Sequence, residues 1–172
     1  MTSDPFETLG FPRRFRIDAA NLAQRHRDLS RALHPDRFVQ AAPAERRVAI
    51  EKAAAVNDAF RRLRDPQMRA AALLAFAGRP VREDARAAPE LLTEVLDLRE
   101  RLEEAKSQKD DTRRITLRDS VATRIAQSER VIADAFETDV APTGDTLDRA
   151  YEALVTLKYL YRFLEEADAV DD

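Results

Sequence analysis

Few residues of this chain could perform acid-base or metal chemistry. Its 172 residues include two histidines, His26 and His34, and no cysteine. Without cysteine there is no disulfide, no thiolate metal ligand and no cysteine nucleophile. The histidines are eight positions apart, one on an apolar helical stripe and one in a turn, which is not a metal-ligand spacing. Since no glycine-rich phosphate loop or nucleophile motif accompanies them, we predict a non-enzyme that needs no metal or cofactor.

The triplet His34-Pro35-Asp36 could present a carboxylate in a fixed turn. Pro35 disfavours helical dihedrals at His34 and lacks an amide donor, so the preceding helix must end near Leu33. In the loop that follows, the proline limits backbone freedom, and Asp36 can meet an arginine of a partner at little ordering cost. His34 can support this loop by hydrogen bonding. Such a triplet on its own would more often be turn chemistry without a function.

The helix before this turn is basic. Between residues 13 and 37 the chain has seven arginines and three aspartates, although its net charge is -3 and its last residues are acidic. Arg27 and Arg31, with Arg25 at their flank, form a face that would steer an acidic protein surface and weaken with salt. Nucleic acid is the alternative partner, but an acidic chain with 6% aromatic residues offers little for base stacking, and we predict none.

The elements that position the triplet are helices. In the first half, Asp4, Asp18 and the Asp65-Pro66 pair are placed as caps, while Gly10 and Gly78 are stop signals. On the second helix, Leu22, His26, Leu29 and Leu33 form an apolar stripe, which makes His26 a core histidine with a satisfied nitrogen. We expect Met68, Leu73 and Phe76 to form the apolar side of the fourth helix. The four helices are predicted at about residues 5–9, 18–33, 43–64 and 66–77.

The second half is predicted to be a separate bundle. Residues 79–88 are charged and alanine-rich without an apolar period, and we interpret them as a linker. Three helices follow, and their short connections imply antiparallel packing. We therefore predict an all-α protein with a first domain at residues 1–78, a linker at 79–88 and a three-helix bundle at 89–170. The bundle helices are predicted at about 89–106, 111–137 and 146–168.

The first half closely resembles a J domain. The resemblance is carried by PFETLG, by RALHPDRF and by KAAAVNDAFRRLRDP, with His34, Pro35 and Asp36 matching the HPD signature of that family. Its position between two helices of suitable length makes the triplet far more specific than it is alone. The resemblance implies an all-helical fold and stimulation of ATP hydrolysis by a DnaK-type chaperone. It implies that this chaperone is bound by His34, Pro35, Asp36, Arg25, Arg27 and Arg31.

The whole chain resembles the HscB family of J proteins. It lacks the glycine- and phenylalanine-rich linker and the cysteine-rich zinc module of general J proteins, and its segments DPQMRAAALLAFAG and ELLTEVLDLRERLEE are similar to HscB. The resemblance implies that the partners are a DnaK- or HscA-type ATPase and an iron-sulfur cluster scaffold protein, which the bundle holds. The alternative is a J-domain co-chaperone that serves a different client or assembly.

The fifth helix has two apolar strips. Leu91, Val95, Leu98 and Leu102 recur at helical spacing and should face the bundle core, while Leu92 and Leu96 lie about 100° away, as do Val155 and Tyr159 on the last helix. Thr93 stands where the HscB family usually has an apolar residue, and Asp97 points away from the strip. The alternative is that Leu92 and Leu96 pack against the J domain. By resemblance, the client-binding residues are Leu92, Leu96, Asp97, Glu100 and Tyr159.

The location of the protein is predicted from missing signals. The start MTSDPFETLG has no apolar segment of the kind found in signal peptides, and its acidic residues are unlike a transit peptide. No apolar run approaches the length that spans a membrane. We therefore expect a soluble, cytoplasmic protein without a membrane partner, whose oligomeric state the sequence leaves open.

Overall fold

Helices account for the regular structure of the chain. The computed structural model describes residues 4–82, 85, 87–138 and 140–169, and no strand occurs in these ranges, so the all-α prediction is confirmed. None of the helices in these ranges has the length and apolar character that a membrane crossing requires. A 3-10 turn spans Pro35–Phe38, and the helices are α1 Pro5–Leu9, α2 Ala19–Ala32, α3 Pro43–Arg64, α4 Pro66–Phe76, α5 Pro89–Ser107, α6 Asp111–Ala135 and α7 Gly144–Asp168.

Local signals set the helix ends where the sequence predicts them. Asp4 accepts a hydrogen bond from the Phe6 amide at 2.8 Å, and Asp65 accepts one from the Met68 amide at 2.8 Å. Each carboxylate accepts from an amide of the first turn that has no partner within the helix. Its negative charge is also stabilised by the positive end of the helix dipole. Gly10 ends α1 with φ +71°, a left-handed conformation that glycine adopts without strain. The predicted caps and stops of the first half are thus confirmed.

The first half places the 3-10 turn at the end of a helical hairpin. Helices α2 and α3 pack together and α1 lies mainly against α3. Phe6, Leu9 and Leu63 are fully buried where these helices meet, and Leu22 and Val56 are nearly so. This core holds α2 and α3 on either side of the turn, which projects from their end.

Helix α4 does not bury the residues that we expected. Leu73 is buried as predicted, but Met68 and Phe76 are exposed, and Ala70 and Leu74 are fully buried instead. The helix packs on α3 on one side and on α7 on the other, so small alanines allow both neighbours to approach closely. The prediction for Met68 and Phe76 is wrong because α3 and α7 together decide which face of α4 is buried, and that face contains Ala70, Leu73 and Leu74.

The second half forms the predicted bundle. Helices α5, α6 and α7 all pack against each other, most extensively α6 and α7. Leu91, Val95, Leu98 and Leu102 of α5 are buried, which confirms the predicted core stripe, and Leu154 and Leu157 are fully buried on α7. Leu147 and Tyr161, which recur with these leucines at helical spacing on α7, are only partly buried and pack against this core.

The two halves share one hydrophobic core. A single cluster of buried residues runs from Phe6 in α1 to Phe163 in α7, and the contact between α4 and α7 lies within it. Polar contacts reinforce the junction: Arg16 pairs with Asp134 at 2.8 Å, and Arg79 pairs with Asp148 at 2.7 Å. The halves therefore have a defined relative orientation. The domain boundaries remain a prediction, and residues 83, 84 and 86 of the expected linker lie outside the described ranges.

Partly buried polar side chains lie where the halves meet. Arg69 of α4 places its guanidinium 4.7 Å from the Phe15 ring centroid, and its Nη1 donates to the Leu63 carbonyl at 2.7 Å. Nearby, the Tyr161 hydroxyl donates to Glu129 Oε1 at 2.9 Å. Burial, and then this hydrogen bond to a carboxylate, raise the pKa of Tyr161 to about 12, because both disfavour the phenolate.

The Tyr161 pKa predicts how stability depends on alkaline pH. An unfolded tyrosine has a pKa of about 10, so the contribution of neutral Tyr161 to the free energy of unfolding is complete below that pH. It should be lost as the pH rises through about 12. We expect a tyrosinate absorbance titration to show an ionisation near pH 12 that is missing in Tyr161→Phe. If both proteins ionise over the same pH range, the hydrogen bond to Glu129 does not control this group.

Candidate functional site

The 3-10 turn is organised around His34. This residue has extended dihedrals, φ -60° and ψ 134°, and precedes Pro35 at the first position of the turn. His34 Nδ1 accepts a hydrogen bond from the Asp36 amide at 3.3 Å. For this nitrogen to be an acceptor, the neutral ring must carry its proton on Nε2. His34 therefore supports the loop, as the sequence predicts.

Asp36 projects its carboxylate into solvent. Its side chain is 86% exposed, and its Oδ2 lies 3.5 Å from His34 Nδ1, which accepts from the Asp36 amide and so makes no ion pair with the carboxylate. The backbone on both sides is restrained by Pro35 and by the His34 hydrogen bond. A partner's arginine could therefore bind this carboxylate without ordering the loop first.

The basic face of α2 is only partly free. Arg31 makes no polar contact within the described part of the chain, whereas Arg27 is held by Gln24 Oε1 at 2.6 Å. Arg25 differs, because its Nε donates to the Leu9 carbonyl at 3.1 Å and its guanidinium lies against Gly10. This contact satisfies a carbonyl at the end of α1, so Arg25 also holds two helices together. Its part in chaperone binding remains a prediction.

His26 has the satisfied nitrogen that the sequence predicts, although its ring is only partly buried and not in the core. Its Nε2 is 2.9 Å from the Asn57 Oδ1, and its ring stacks on Phe60 with centroids 4.1 Å apart. The ring is partly buried between α2 and α3. It therefore links the two helices of the hairpin and takes no part in the exposed turn.

Leu92 and Leu96 lie on the protein surface. Their side chains are 40% and 58% exposed, in contrast to Leu91, Val95 and Leu98 on the same helix, which are buried. Neither leucine belongs to the buried clusters or packs against the first half. The alternative that they cover the J domain is therefore wrong. The apolar strip defined by Leu92 and Leu96 is open to solvent.

Tyr159 and Val155 of α7 both pack toward the buried side of α5, and Val155 does not belong to the apolar strip. Val155 is buried in a small cluster with Leu91 and Val95, and the half-buried Tyr159 packs against that cluster. The sequence placed Val155 and Tyr159 on the same displaced face. This prediction is wrong for Val155, because α7 turns that position toward α5.

The charged residues of α5 differ in whether an ion pair holds them. Asp97 pairs with Arg101 of its own helix at 2.9 Å, while Glu100 is exposed. Arg99 donates two hydrogen bonds to Glu166 of α7, each 2.7 Å long. The hydrogen bonds from Arg99 lower the pKa of Glu166 and raise that of Arg99. The Arg99 pair thus joins α5 to α7, which leaves Glu100 as the more available charge.

The sequence did not predict an apolar cleft next to the 3-10 turn. The cleft has a volume of about 520 Å³ and lies between the end of α2, the turn and the start of α3. The available signal was the series of alanines opposite two large apolar residues. Its lining is Leu33, Phe38, Ala44, Glu45, Val48, Ala49 and Lys52. Within the described residues, no group of three or more histidine, aspartate or glutamate side chains could hold a metal ion.

Both halves of the chain are similar in sequence to known proteins. A family model described as the HSCB C-terminal oligomerisation domain matches residues 87–168, which contain α5, α6 and α7. The co-chaperone protein HscB homolog of Shewanella woodyi is 30% identical over 171 residues, which are 97% of this chain and 96% of that protein. The co-chaperone protein HscB homolog of Bordetella petrii is 42% identical over 105 residues, which are 60% of this chain and 62% of that protein.

Solved structures share the same fold. The chaperone HscB from Vibrio cholerae superimposes with a TM-score of 0.83 at 26% identity, and the match covers 96% of each chain. The human co-chaperone protein HscB superimposes with a TM-score of 0.82 at 27% identity, over 96% of this chain and 81% of that one. The likeness therefore includes the arrangement of both halves.

The difference in burial between neighbouring leucines of α5 predicts a difference in stability. We expect Leu102→Ala, at a nearly fully buried position, to lower the free energy of unfolding by about 2–5 kcal/mol, because it leaves a cavity. Leu96→Ala removes the same atoms from an exposed position and should change the free energy of unfolding by no more than about 0.5 kcal/mol. Urea unfolding of both variants measures the difference. Equal losses would mean that Leu96 is buried in solution.

Proposed function

Because the chain belongs to the HscB family of co-chaperones, we propose that it stimulates the ATPase of a DnaK- or HscA-type chaperone in the cytoplasm and delivers an iron-sulfur cluster scaffold protein to it. The observation that carries the proposal is the exposed, restrained Asp36 carboxylate on one half of a molecule whose other half exposes the apolar strip of Leu92 and Leu96. Each half thus offers a surface to a different partner.

The chaperone side depends on a charge held in a fixed position. Asp36 meets an arginine of the chaperone, while Pro35 and His34 keep the turn in the binding conformation. A charge-assisted hydrogen bond of this kind loses most of its strength when the carboxylate becomes an amide. Asp36 is therefore the residue on which stimulation depends most.

The basic face of α2 guides the encounter. Arg27 and Arg31 are exposed and lie on the helix that leads into the turn. Exposed charges act over about 8 Å at physiological ionic strength, so they raise the association rate of an acidic partner more than they slow its release. Salt should weaken this contribution while leaving the short-range contact at Asp36 in place.

The client side combines apolar anchors with acidic neighbours. Leu92 and Leu96 supply apolar area that is open to solvent, and the half-buried Tyr159, which packs against Leu91 and Val95 of the same helix, adds an aromatic ring with a polar end. Central apolar and aromatic side chains supply most of the affinity of an interface, and charged residues at the rim supply selectivity. Glu100 is exposed and Asp97 could exchange its Arg101 partner for a basic residue of the client.

The chaperone side can be tested by one isosteric change. We expect Asp36→Asn to abolish stimulation of steady-state ATP hydrolysis by the cognate chaperone, both with and without scaffold protein, because the charge-assisted bond is lost. Asp119→Asn, the same change at an exposed position on α6, is the matched control and should stimulate as the wild type does. If Asp36→Asn stimulates normally, the turn is not the chaperone contact.

The client side can be tested separately. We expect Leu96→Ala to weaken scaffold binding by about 1–2 kcal/mol in titration calorimetry, while basal ATPase stimulation stays intact. Ile115→Ala, at a similarly exposed position on α6, should bind as the wild type does. Unchanged scaffold affinity in Leu96→Ala, with Asp36 still required, would assign the protein to a different client.

A further inference from the structure

The apolar cleft beside the 3-10 turn is not used by the proposed function. Leu33 immediately precedes His34, and Phe38 is the last residue of the turn that holds Asp36. The opposite wall is the start of α3, where Val48 is 43% exposed and Ala49 is buried. A volume of about 520 Å³ lies within the range of clefts that bind drug-sized ligands.

The cleft is open because its α3 wall is built from small side chains. Ala44 and Ala49 face Leu33 and Phe38, and they are too short to fill the space between α3 and the turn. The cleft is open to solvent, so its apolar lining is surface that a partner could cover. The exposed Val48 extends its apolar character to the surface.

Charge at the rim indicates the chemistry of an occupant. Lys52 lines the cleft and makes no polar contact within the described part of the chain. The carboxylate of Glu45 already accepts a hydrogen bond from the Ala42 amide at 3.3 Å. Arg37, in the turn itself, is exposed. The rim therefore complements an acidic partner, as does the basic face of α2.

We propose that this cleft receives an apolar side chain from a segment of the ATPase chaperone that also carries acidic residues. The inference rests on the proposed function, because it extends the surface that meets Asp36. A protein that covers Asp36 also reaches Phe38, two residues further along the same turn. The client is a poorer candidate, since its strip lies on α5, a helix that packs against α6 and α7.

The test compares two serine substitutions on α3. Val48→Ser makes the cleft wall polar, while Ile50→Ser changes a side chain that is 63% exposed and does not line the cleft. We expect Val48→Ser to raise the co-chaperone concentration for half-maximal ATPase stimulation about tenfold, with the maximal rate unchanged. Ile50→Ser should shift it less than about twofold, as expected outside a binding hot spot. Urea unfolding confirms that both variants are folded.

Measurements at high salt and a variant with a filled cleft distinguish the apolar contact in the cleft from the electrostatic contribution of the basic face of α2. The Val48→Ser shift should persist at high salt, because an apolar contact is not screened, and Ala44→Trp should reproduce it by occupying the space. Equal behaviour of Val48→Ser and Ile50→Ser would overturn the inference while leaving the proposed function intact. A loss of scaffold affinity in Val48→Ser, with normal stimulation, would overturn it in favour of the client. A wild-type protein that gives no stimulation would refute the proposed function and this inference with it.

Discussion

The packing of α4 against α7 is the contact on which the arrangement of the rest of the molecule depends. Helix α4 is short and rich in alanine, and Ala70 and Leu74 are fully buried between α3 and α7. Close approach on both sides makes one core out of what could have been two small ones, each of which would bury a smaller fraction of its surface. The position of the exposed turn relative to the apolar strip follows from this contact.

Features with a local cause could be predicted from the sequence. Asp4, Asp65 and Gly10 satisfy or end a helix through groups only a few residues away, and they are found where expected. The stripe of α5 could be predicted because the bundle lies on one side of that helix. Met68, Phe76 and Val155 could not be placed, because their burial depends on which neighbour packs beside them in the folded chain.

In the candidate site, too, features with a local cause could be predicted and features that depend on distant residues could not. Exposure of Asp36 follows from Pro35, which ends one helix and limits the turn. By contrast, the bond from Arg25 to the Leu9 carbonyl joins residues 16 positions apart, and the helical period of α2 contains no sign of it. The cleft beside Phe38 also depends on distance, because alanines leave a space only when the opposite wall is too far away to close it.

The shared core also determines how two partners held by this protein would meet. A flexible tether would let a client on α5 sample many positions around the chaperone, and the effective concentration of one partner near the other would be set by tether length. Here Arg16 and Arg79 add ion pairs to a continuous core, so the distance between the two surfaces is set by packing. The effective concentration then depends on geometry: it is high for a client whose segment reaches the chaperone from that one position, and negligible for a client whose segment does not.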